Sequence, residues 1–469
     1  TQRDMGQPYS KSRYYHLYLN GVYWGLYQTQ ERTEARFASS YFGGEDIDYD
    51  VVKVNTEDFN YRIEATDGVL DTWQTIYQMC ESGFESYSTY FMIEGKDVNG
   101  QKIEGAPVLV DIDNLIDYML VIFYTGNFDS PTSSFGGNKG CNNFFAIYNR
   151  KLKNRGFTFY AHDAEHALMS DVVETGKGLY EDRVNLASRT DGNKMEVNSF
   201  EKFHPQWLHE KLTANEEYRL RFADRAYNYL RACNVLSPEG CTSRFNQRVS
   251  QIDYAIIAES ARWGDSKNTF PIRTKDDHWI PEIEKVRTVY FPVRSSILED
   301  QLKVAGLLPM LEPPIMKING QISDAESFLF TGSVSVGLEN NSSVGDVFYT
   351  LDGSDPRIPG GGVNPNSGKW QSNANIEFSN SVLLKSRAYN NGVWSALAYT
   401  YLLKNDEDYS KLKVTEIMYH PKDIINGSDT ISGTSLEFIE FKNTGSTSLN
   451  ISGMKLDSAV RCAFPARTI

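Results

Sequence analysis

The amino-acid pattern changes at Leu311-Glu-Pro-Pro314, and this change constrains the fold more than any other feature of the chain. From Ser199 to Leu308, apolar residues recur mostly at helical spacing. After the two prolines, short runs of β-forming residues alternate with turns rich in Gly, Asn and Ser, at the spacing of roughly 8–12 residues that is typical of β-sandwiches. The change therefore predicts a domain that contains helices, followed by a region made of strands.

A polar segment, residues 404–411, divides the β-rich region again. A chain of 469 residues has room for about three domains. We therefore predict an α+β domain over residues 1–310 with a helical C-terminal part, and two small all-β domains over residues 311–404 and 411–469. Both ends of the chain look cut, so the first domain is expected to be incomplete at its N-terminus and the last to be truncated.

Local signals predict the elements of the first domain. The dipeptide Asn20-Gly21 lies between two runs of β-forming residues, which is the strongest short signal for a β-hairpin, here over residues 14–30. The remaining predictions are helices at 31–42, 67–82 and 111–124 and strands at 50–54, 143–149 and 156–161.

Composition narrows the classes of partner. The 47 Lys and Arg against 61 Asp and Glu give a formal net charge of −14. An acidic surface repels polyanions, so we expect no nucleic acid and no anionic membrane as a partner. No run of 18 apolar residues is present, so no transmembrane segment is expected in this sequence. The aromatic content of 13% favours an extracellular, sheet-rich or carbohydrate-facing protein.

The five cysteines contain no C-x-x-C pair, which excludes a zinc ribbon and a thioredoxin motif. Cys233 and Cys241 flank a turn-like segment and could close a small disulfide loop in an oxidising compartment. Two unpaired thiols are the alternative, and the spacing leaves both open.

Acidic and amide residues recur where predicted elements begin or end. Asp129 follows a predicted helix. Asn142 and Asn143 precede one predicted strand, and Asp163 follows the next. Two carboxylates and an amide brought together in this way could hold Mg²⁺, which prefers oxygen ligands. The second aspartate could instead orient an attacking hydroxyl. One base-like Asp, one Asn and one metal-binding Asp are the minimal equipment for phosphoryl transfer.

The same segment allows two other interpretations. His162 and His166 are four residues apart, as in the H-E-x-x-H zinc motif, and on a helix they would share a face. However, residues 157–161 predict a strand, so His162 would lie at its end, and a third ligand is not apparent. A polar turn without any ligand is the simplest alternative.

Glu31 and Lys53 form a second candidate pair. A lysine on a strand that faces a glutamate on a neighbouring helix would position nucleotide phosphates as in protein kinases. A solvated lysine is the simpler alternative. The sequence contains neither G-x-x-x-x-G-K-[ST] nor G-x-S-x-G, so P-loop and nucleophile-elbow chemistry are not supported.

Several separated segments resemble the spore-coat CotH kinase family. Asn20-Gly-Val-Tyr-Trp-Gly-Leu-Tyr27, followed by Glu31, is similar to the family signature N-x-x-Y-x-G-x-Y…E. Asp129, the Asn142-Asn143 pair and Asp163 resemble its later motifs, which are an Asp, an Asn-bearing strand and a strand that ends in Asp. The resemblance covers roughly residues 1–310.

This resemblance implies an atypical protein-kinase-like fold that transfers phosphate from ATP to Ser or Thr of proteins with a divalent metal, Mg²⁺ or Mn²⁺. The implied site consists of catalytic Asp129, metal ligands Asp163, Asn143 and Asn142, and on the nucleotide side Lys53 and Glu31. The spacer from Asp129 to Asn143 is long and Gly-rich, unlike the tight catalytic loop of ordinary kinases, and leaves room for a pseudokinase.

The β-rich segments carry resemblances of their own. Residues 347–357 and 384–394 look like the chitobiase/β-hexosaminidase C-terminal type of β-sandwich, and Arg387 is expected to pair with Asp355. Residues 414–453 are similar to the start of a lamin-tail domain, an immunoglobulin-like sandwich.

Together these features predict a kinase that is extracellular or on the cell surface of a bacterium, with an acceptor protein that the sequence does not identify. The alternative is a non-catalytic surface adhesin that keeps a pseudokinase scaffold and binds glycans. Convergence of Asp129, Asn143 and Asp163 around one pocket would favour catalysis.

Overall fold

Two units form the chain, and each is described by itself. The first comprises residues 1–38, 46–218 and 229–307, and the second residues 39–45, 219–228 and 308–469. The computed structural model describes residues 1–57, 60–152, 154–169, 178–231, 234–267, 270–342, 344–372, 374–405, 409–419, 421–426, 429–431, 433–451, 454–456 and 462–464.

The chain begins with the predicted hairpin, formed by β1 (Ser12–Leu19) and β2 (Val22–Gln30). Asn20 and Gly21 both have positive φ, at 50° and 80°, as a two-residue turn between twisted strands requires. Glu31 continues the pairing, because its N–H donates to Lys11 O at 3.0 Å. Helix α1 (Ala35–Phe42) therefore begins only at Ala35, and the predicted helix start at Glu31 is wrong.

A four-stranded antiparallel sheet supports the candidate site. It consists of β3 (Tyr49–Asn55), β4 (Arg62–Asp67), β5 (Phe144–Asn149) and β6 (Thr158–Ala161), in the order β4-β3-β5-β6. Every residue of β5 is buried, which explains its continuous apolar run. Phe144 at the start of β5 pairs with Ala161 at the end of β6, so both strands reach the same edge of the sheet.

Helix α4 (Ile112–Thr125) follows α2 (Asp71–Ser82) and α3 (Tyr87–Met92) and is buried along most of its length. The Asp111 side chain caps its N-terminus by accepting a hydrogen bond from Asn114 N at 3.0 Å. Gly126 ends it in the left-handed conformation, at φ 59°. This turn directs the next three residues out of the helix towards the candidate site.

The rest of the first unit is largely helical, as predicted. Its further elements include α5 (Pro205–Leu212), α7 (Pro238–Ile252), α8 (Ala255–Trp263), α9 (Ile280–Lys285) and α10 (Phe291–Val304), with π-helical turns at Lys275–Trp279 and Val286–Tyr290. Helix α6 (Glu216–Leu230) lies between α5 and α7 in the chain. In the core, the Trp73 ring is fully buried and stacks on Phe203 at 4.4 Å between centroids.

The second unit contains two sheets that share one hydrophobic core. The first sheet has the order β13-β10-β7-β8, and the second the order β12-β11-β14-β16-β9 with β15 on β14. Their strands are β7 (Ile315–Ile318), β8 (Gln321–Ile322), β9 (Ser327–Phe330), β10 (Val334–Glu339), β11 (Asp346–Thr350), β12 (Gly368–Lys369), β13 (Ile376–Phe378), β14 (Val382–Asn390), β15 (Val393–Trp394) and β16 (Ala398–Lys404). Val336 of one sheet and Leu384 and Leu402 of the other belong to the same core cluster and are fully buried.

The predicted pair of Arg387 with Asp355 is confirmed. Arg387 is 1% exposed and donates to both carboxylate oxygens of Asp355, at 2.8 and 2.6 Å. It also donates to both carboxylate oxygens of Asp224, at 2.7 and 2.6 Å. Burial favours the neutral form of Asp355, but the bonds and charge of Arg387 outweigh this and lower the pKa of that carboxyl.

Among its described residues, the C-terminal part of this unit has three strand pairs: β17 (Leu412–Met418) with β20 (Phe438–Asn443), β18 (Ile424–Asn426) with β19 (Asp429–Ile431), and β21 (Lys455–Leu456) with β22 (Cys462–Ala463). Cys233 lies outside the described residues. Cys241 is a free, buried thiol, which favours the alternative of two unpaired thiols over the disulfide. Within the described part of the chain, no helix is long and apolar enough to cross a bilayer.

Two buried histidines predict acid sensitivity. Burial lowers the pKa of His204 and of His209 to about 3, from 6.5 in the unfolded chain. Between these values the unfolded state binds more protons, so stability is lost as the pH falls below 6.5. From pH 7 to pH 5 each histidine should cost about 2 kcal/mol of unfolding free energy. Urea denaturation at both pH values measures this.

The matched variants are His209→Gln, whose amide retains a partner for the Tyr218 hydroxyl, and His16→Gln at an exposed position. The first should lose about 2 kcal/mol less than wild type between the two pH values, and the second the same as wild type. An unchanged pH dependence in His209→Gln would contradict the role given to this histidine.

The Arg387 network should dominate the stability of the second unit. Arg387→Met leaves two partly buried carboxylates without their cation, and should lower the unfolding free energy by about 3 kcal/mol or more. Lys369→Met removes a solvent-exposed pair with Asp346 and should change it by about 0.5 kcal/mol or less. Equal effects of the two substitutions in chemical denaturation would refute this account.

Candidate active site

Two side chains hold the carboxylate of Asp129. Ser133 Oγ donates to Asp129 Oδ1, and Asn143 Nδ2 donates to Asp129 Oδ2 at 3.0 Å. The main-chain N–H of Asp129 donates to Asn127 Oδ1 at 3.1 Å, in a turn directly after α4. Asp129 is half-buried and its orientation is fixed, which suits a residue that must direct one hydroxyl group.

Asn143 and Asp163 leave the sheet at the same edge, since Asn143 precedes β5 and Asp163 follows β6. Both have left-handed backbones, at φ 43° and 47°. Asn20, Asn319 and Asn391 also have positive φ, but each precedes a glycine in a turn between paired strands. No such turn explains Asn143 and Asp163, so this strain is of the kind found at functional sites.

One cavity of about 630 Å³ joins the predicted residues. This volume lies within the range of small-molecule sites. Its wall includes Asp129, Asn142, Asn143 and Asp163, together with Thr56, Tyr61, Ser133, Phe135, Gly136, Lys139, Gly140, Cys141 and Lys202. The catalytic and metal-binding residues predicted from sequence therefore meet at one place.

The oxygen groups in the cavity fit a hard cation. The Asp163 carboxylate is exposed and forms no hydrogen bond or ion pair with any other described residue. Asn143 uses its amide N–H towards Asp129, which leaves its Oδ1 as an acceptor. Asn142 is 4% exposed and donates to Asp129 O at 2.8 Å, so the geometry favours Asn143 over Asn142 as an oxygen ligand.

No group of three or more His, Cys, Asp or Glu that could hold a metal occurs among the described residues. Asp163 and Asn143 alone would form an incomplete set, of the kind that Mg²⁺ completes with water and phosphate oxygens.

The long spacer between Asp129 and Asn143 folds around a buried arginine. Arg183 is 0% exposed, and its guanidinium donates to Thr132 O at 2.7 Å, Ser134 Oγ at 2.8 Å and Asn138 Oδ1 at 3.0 Å. Burial lowers the pKa of Arg183 to about 10, which still leaves it charged at neutral pH. Glu181 lies 3.7 Å away and offsets part of the charge. Arg183 thereby fixes the loop that carries Ser133.

The two histidines do not form a zinc pair. Residues 162–164 are not helical, so His162 and His166 do not share a helix face. The His162 ring contacts Phe145 at 4.9 Å, whereas the His166 ring lies against Phe128 at 5.0 Å and Phe135 at 5.1 Å. Burial lowers the pKa of His162, and the charge of Asp163 opposes this effect.

Lys53 and Glu31 are placed differently from the prediction. Lys53 forms an ion pair at 3.3 Å with Glu64, its cross-strand neighbour on β4. Glu31 follows β2, and its carboxylate accepts from Lys11 N at 2.8 Å. The prediction that Lys53 on a strand faces Glu31 on a helix is therefore wrong. Neither residue is part of the cavity wall given above, and their role towards a nucleotide stays a prediction.

Sequence reasoning missed four residues that support the cavity with a hydroxyl or a positive charge: Ser133, Lys139, Arg183 and Lys202. A local signal for Ser133 was present in the sequence, because the hydroxyl-rich run Ser130-Pro-Thr-Ser-Ser134 directly follows Asp129. The others are separated from Asp129 by loops, and no spacing rule connects them.

A second cavity, of about 520 Å³, has a different character. Five cationic side chains line it, namely Arg3, Lys11, Arg13, Arg244 and Arg248. Among its described wall residues Asp4 is the one carboxylate, so it offers no pair of acidic groups for phosphoryl transfer.

The left-handed backbone at Asn143 is testable. Asn143→Ala and Asn143→Gly both remove the bond to Asp129, but alanine also strains a backbone at φ 43°. We expect the alanine variant to be less stable than the glycine variant by about 1 kcal/mol. The same two substitutions at Asn142, which has no positive φ, should give the reverse order. Thermal and urea unfolding measure both pairs, and the same order at both positions would contradict the assignment.

Comparison with known proteins identifies the family of the chain. The family of CotH kinase proteins matches residues 2–290, which is more than half of the chain. A search of curated proteins finds no match. A kinase-like family implies the use of ATP and usually of a divalent metal. The chain thus belongs to the CotH kinase family, which consists of atypical kinase-like proteins.

Proposed function

We propose that this chain transfers the γ-phosphoryl group of ATP to Ser or Thr hydroxyls of a protein, with Mg²⁺ or Mn²⁺. One observation carries the proposal: Asp129, Asn143 and Asp163 lie on the wall of one cavity in a chain of the CotH kinase family. Phosphoryl transfer depends mainly on positioning and on electrostatic stabilisation, and this set of groups can supply both.

Each residue has a distinct role in this proposal. Asp129, fixed by Ser133 and Asn143, accepts the hydrogen bond of the acceptor hydroxyl and takes its proton. Asp163 and Asn143 Oδ1 hold the metal, which neutralises charge on the phosphate oxygens when bound. Lys139 and Lys202 line the same cavity and attract the polyphosphate in a chain of net charge −14.

We further propose that the protein acts outside the cell or on the surface of a bacterium. The aromatic content and the two sheets around one core in residues 315–404 support this, because such β modules are common accessories of secreted enzymes. In this proposal residues 311–404 form a chitobiase C-terminal-like module and residues 411–469 part of a lamin-tail-like domain. Both serve as spacers or glycan contacts.

The second candidate is a non-catalytic pseudokinase scaffold on the surface, with glycans as partners. The ion pair of Lys53 with Glu64 favours this alternative, because it engages the lysine that was expected to face the nucleotide.

Nucleotide binding distinguishes the two. At a hundredfold excess over Kd, ATP with Mg²⁺ or Mn²⁺ should stabilise the folded protein by about 2.7 kcal/mol. Asp163→Asn keeps the shape and the tolerance for a left-handed backbone but removes the charge, so it should abolish the metal-dependent part of the thermal shift. Asp191→Asn, at an exposed position outside the cavity wall, should behave like wild type.

Loss of the shift in Asp163→Asn alone would support the kinase proposal. The absence of any shift in wild type at millimolar ATP with either metal would favour the scaffold alternative.

A further inference from the structure

The hydroxyl group of Ser133 lies where an acceptor hydroxyl of the proposed reaction would bind. In phosphoryl transfer, the catalytic aspartate accepts a hydrogen bond from the attacking hydroxyl. Ser133 Oγ makes this bond to Asp129 Oδ1 within its own chain. Ser133 is half-buried and lies on the wall of the cavity that also contains Asn143 and Asp163.

The hydrogen bonds of Ser133 leave its oxygen able to attack. A serine hydroxyl has one proton and two lone pairs. The proton points to Asp129, and one lone pair accepts from Phe135 N at 3.2 Å. The second lone pair has no partner among the described residues. A hydroxyl bonded to a carboxylate, with a lone pair available beside an open cavity, has the arrangement of a nucleophile.

The neighbouring hydroxyls of the same loop are committed to other groups. Ser130 Oγ donates to Asn143 O at 2.7 Å, and Thr132 Oγ1 donates to Gly140 O at 2.6 Å. Ser134 Oγ accepts from Arg183 Nη1 at 2.8 Å. These three bonds hold the loop in its fold. Residues 130–134 carry four side-chain hydroxyl groups. Within this described loop, the hydroxyl of Ser133 is the one that bonds to the Asp129 carboxylate.

We propose that Ser133 is an internal phosphoacceptor, and that the chain phosphorylates itself in cis at this residue. The inference rests on the proposed function. A nucleoside triphosphate with its metal is the co-reactant. The bond from Ser133 Oγ to the γ-phosphorus forms, the bond from that phosphorus to the β,γ-bridging oxygen breaks, and the diphosphate leaves with the electron pair. The Ser133 proton passes to Asp129 and then to solvent.

Phosphorylation of Ser133 should inhibit further phosphoryl transfer by the same site. Phosphoserine no longer carries the proton that bonded Asp129, and it adds a charge of about −1.5 to −2 beside this carboxylate. Repulsion between the two groups disfavours a further transfer at the same site. One phosphoryl group per chain is therefore expected, and the modified chain should transfer phosphate to other acceptors more slowly than the unmodified chain.

The test uses the full chain with ATP and Mn²⁺, followed by intact mass measurement and tandem mass spectrometry of the peptide that contains residues 130–134. Wild type should gain one phosphoryl group at Ser133, with a first-order rate that does not depend on protein concentration. Ser133→Ala should lose this modification, Ser133→Thr should carry it on the new hydroxyl, and Asp129→Asn should lack it. The metal-dependent nucleotide shift of Ser133→Ala reports whether its fold and cavity remain intact.

Three outcomes would overturn the inference and leave the proposed function standing. One is a wild-type protein that binds nucleotide and releases ADP but carries no phosphate on Ser133. Another is phosphate on Ser130, Thr132 or Ser134 in its place. The third is phosphate on Ser133 of Asp129→Asn after mixing with Ser133→Ala, because this transfer is in trans. If wild type shows no metal-dependent thermal shift with ATP, the proposed function is refuted, and the inference is refuted with it.

Discussion

The candidate site depends on one buried cation, the guanidinium of Arg183. Removing a charge from water costs several kcal/mol unless hydrogen bonds and an opposite charge compensate it. Arg183 receives this compensation from Thr132, Ser134 and Asn138, and from Glu181 at 3.7 Å. Because all three hydrogen-bond acceptors lie in the loop that follows Asp129, the loop folds around the guanidinium. A long spacer can in this way hold a catalytic group as firmly as a short loop would.

The sheet edge supplies the other half of the site. The pairing of Phe144 with Ala161 brings the chain before β5 and the chain after β6 together, and left-handed backbones at Asn143 and Asp163 then turn away from the strands. Asn143 connects both halves, because its amide N–H donates to Asp129 and its oxygen remains available as an acceptor in the cavity that Asp163 also lines. The proposed base and the proposed metal ligands thus come from different parts of the chain.

Local patterns predicted the parts of this structure that local chemistry decides. Asn20-Gly21 specified the hairpin, and helical spacing over residues 111–124 specified α4. The order of the family motifs predicted that Asp129 and Asp163 belong to one site, and both residues line the same cavity. The start of α1 was missed because the backbone of Glu31 bonds across the hairpin, and Arg183 was missed because its partners lie about 50 residues earlier in the chain. Side-chain partners across such distances depend on the tertiary fold, which periodicity does not report.

The most direct test of the central claim is a crystal structure of the full chain with Mn²⁺ and a non-hydrolysable ATP analogue. The anomalous signal of manganese locates the metal independently of the protein density. Our account predicts this signal in the cavity of Asp129, coordinated by Asp163 and Asn143 Oδ1, with the terminal phosphate facing Ser133. Manganese and nucleotide bound in the arginine-lined cavity instead, or away from both carboxylates, would contradict it.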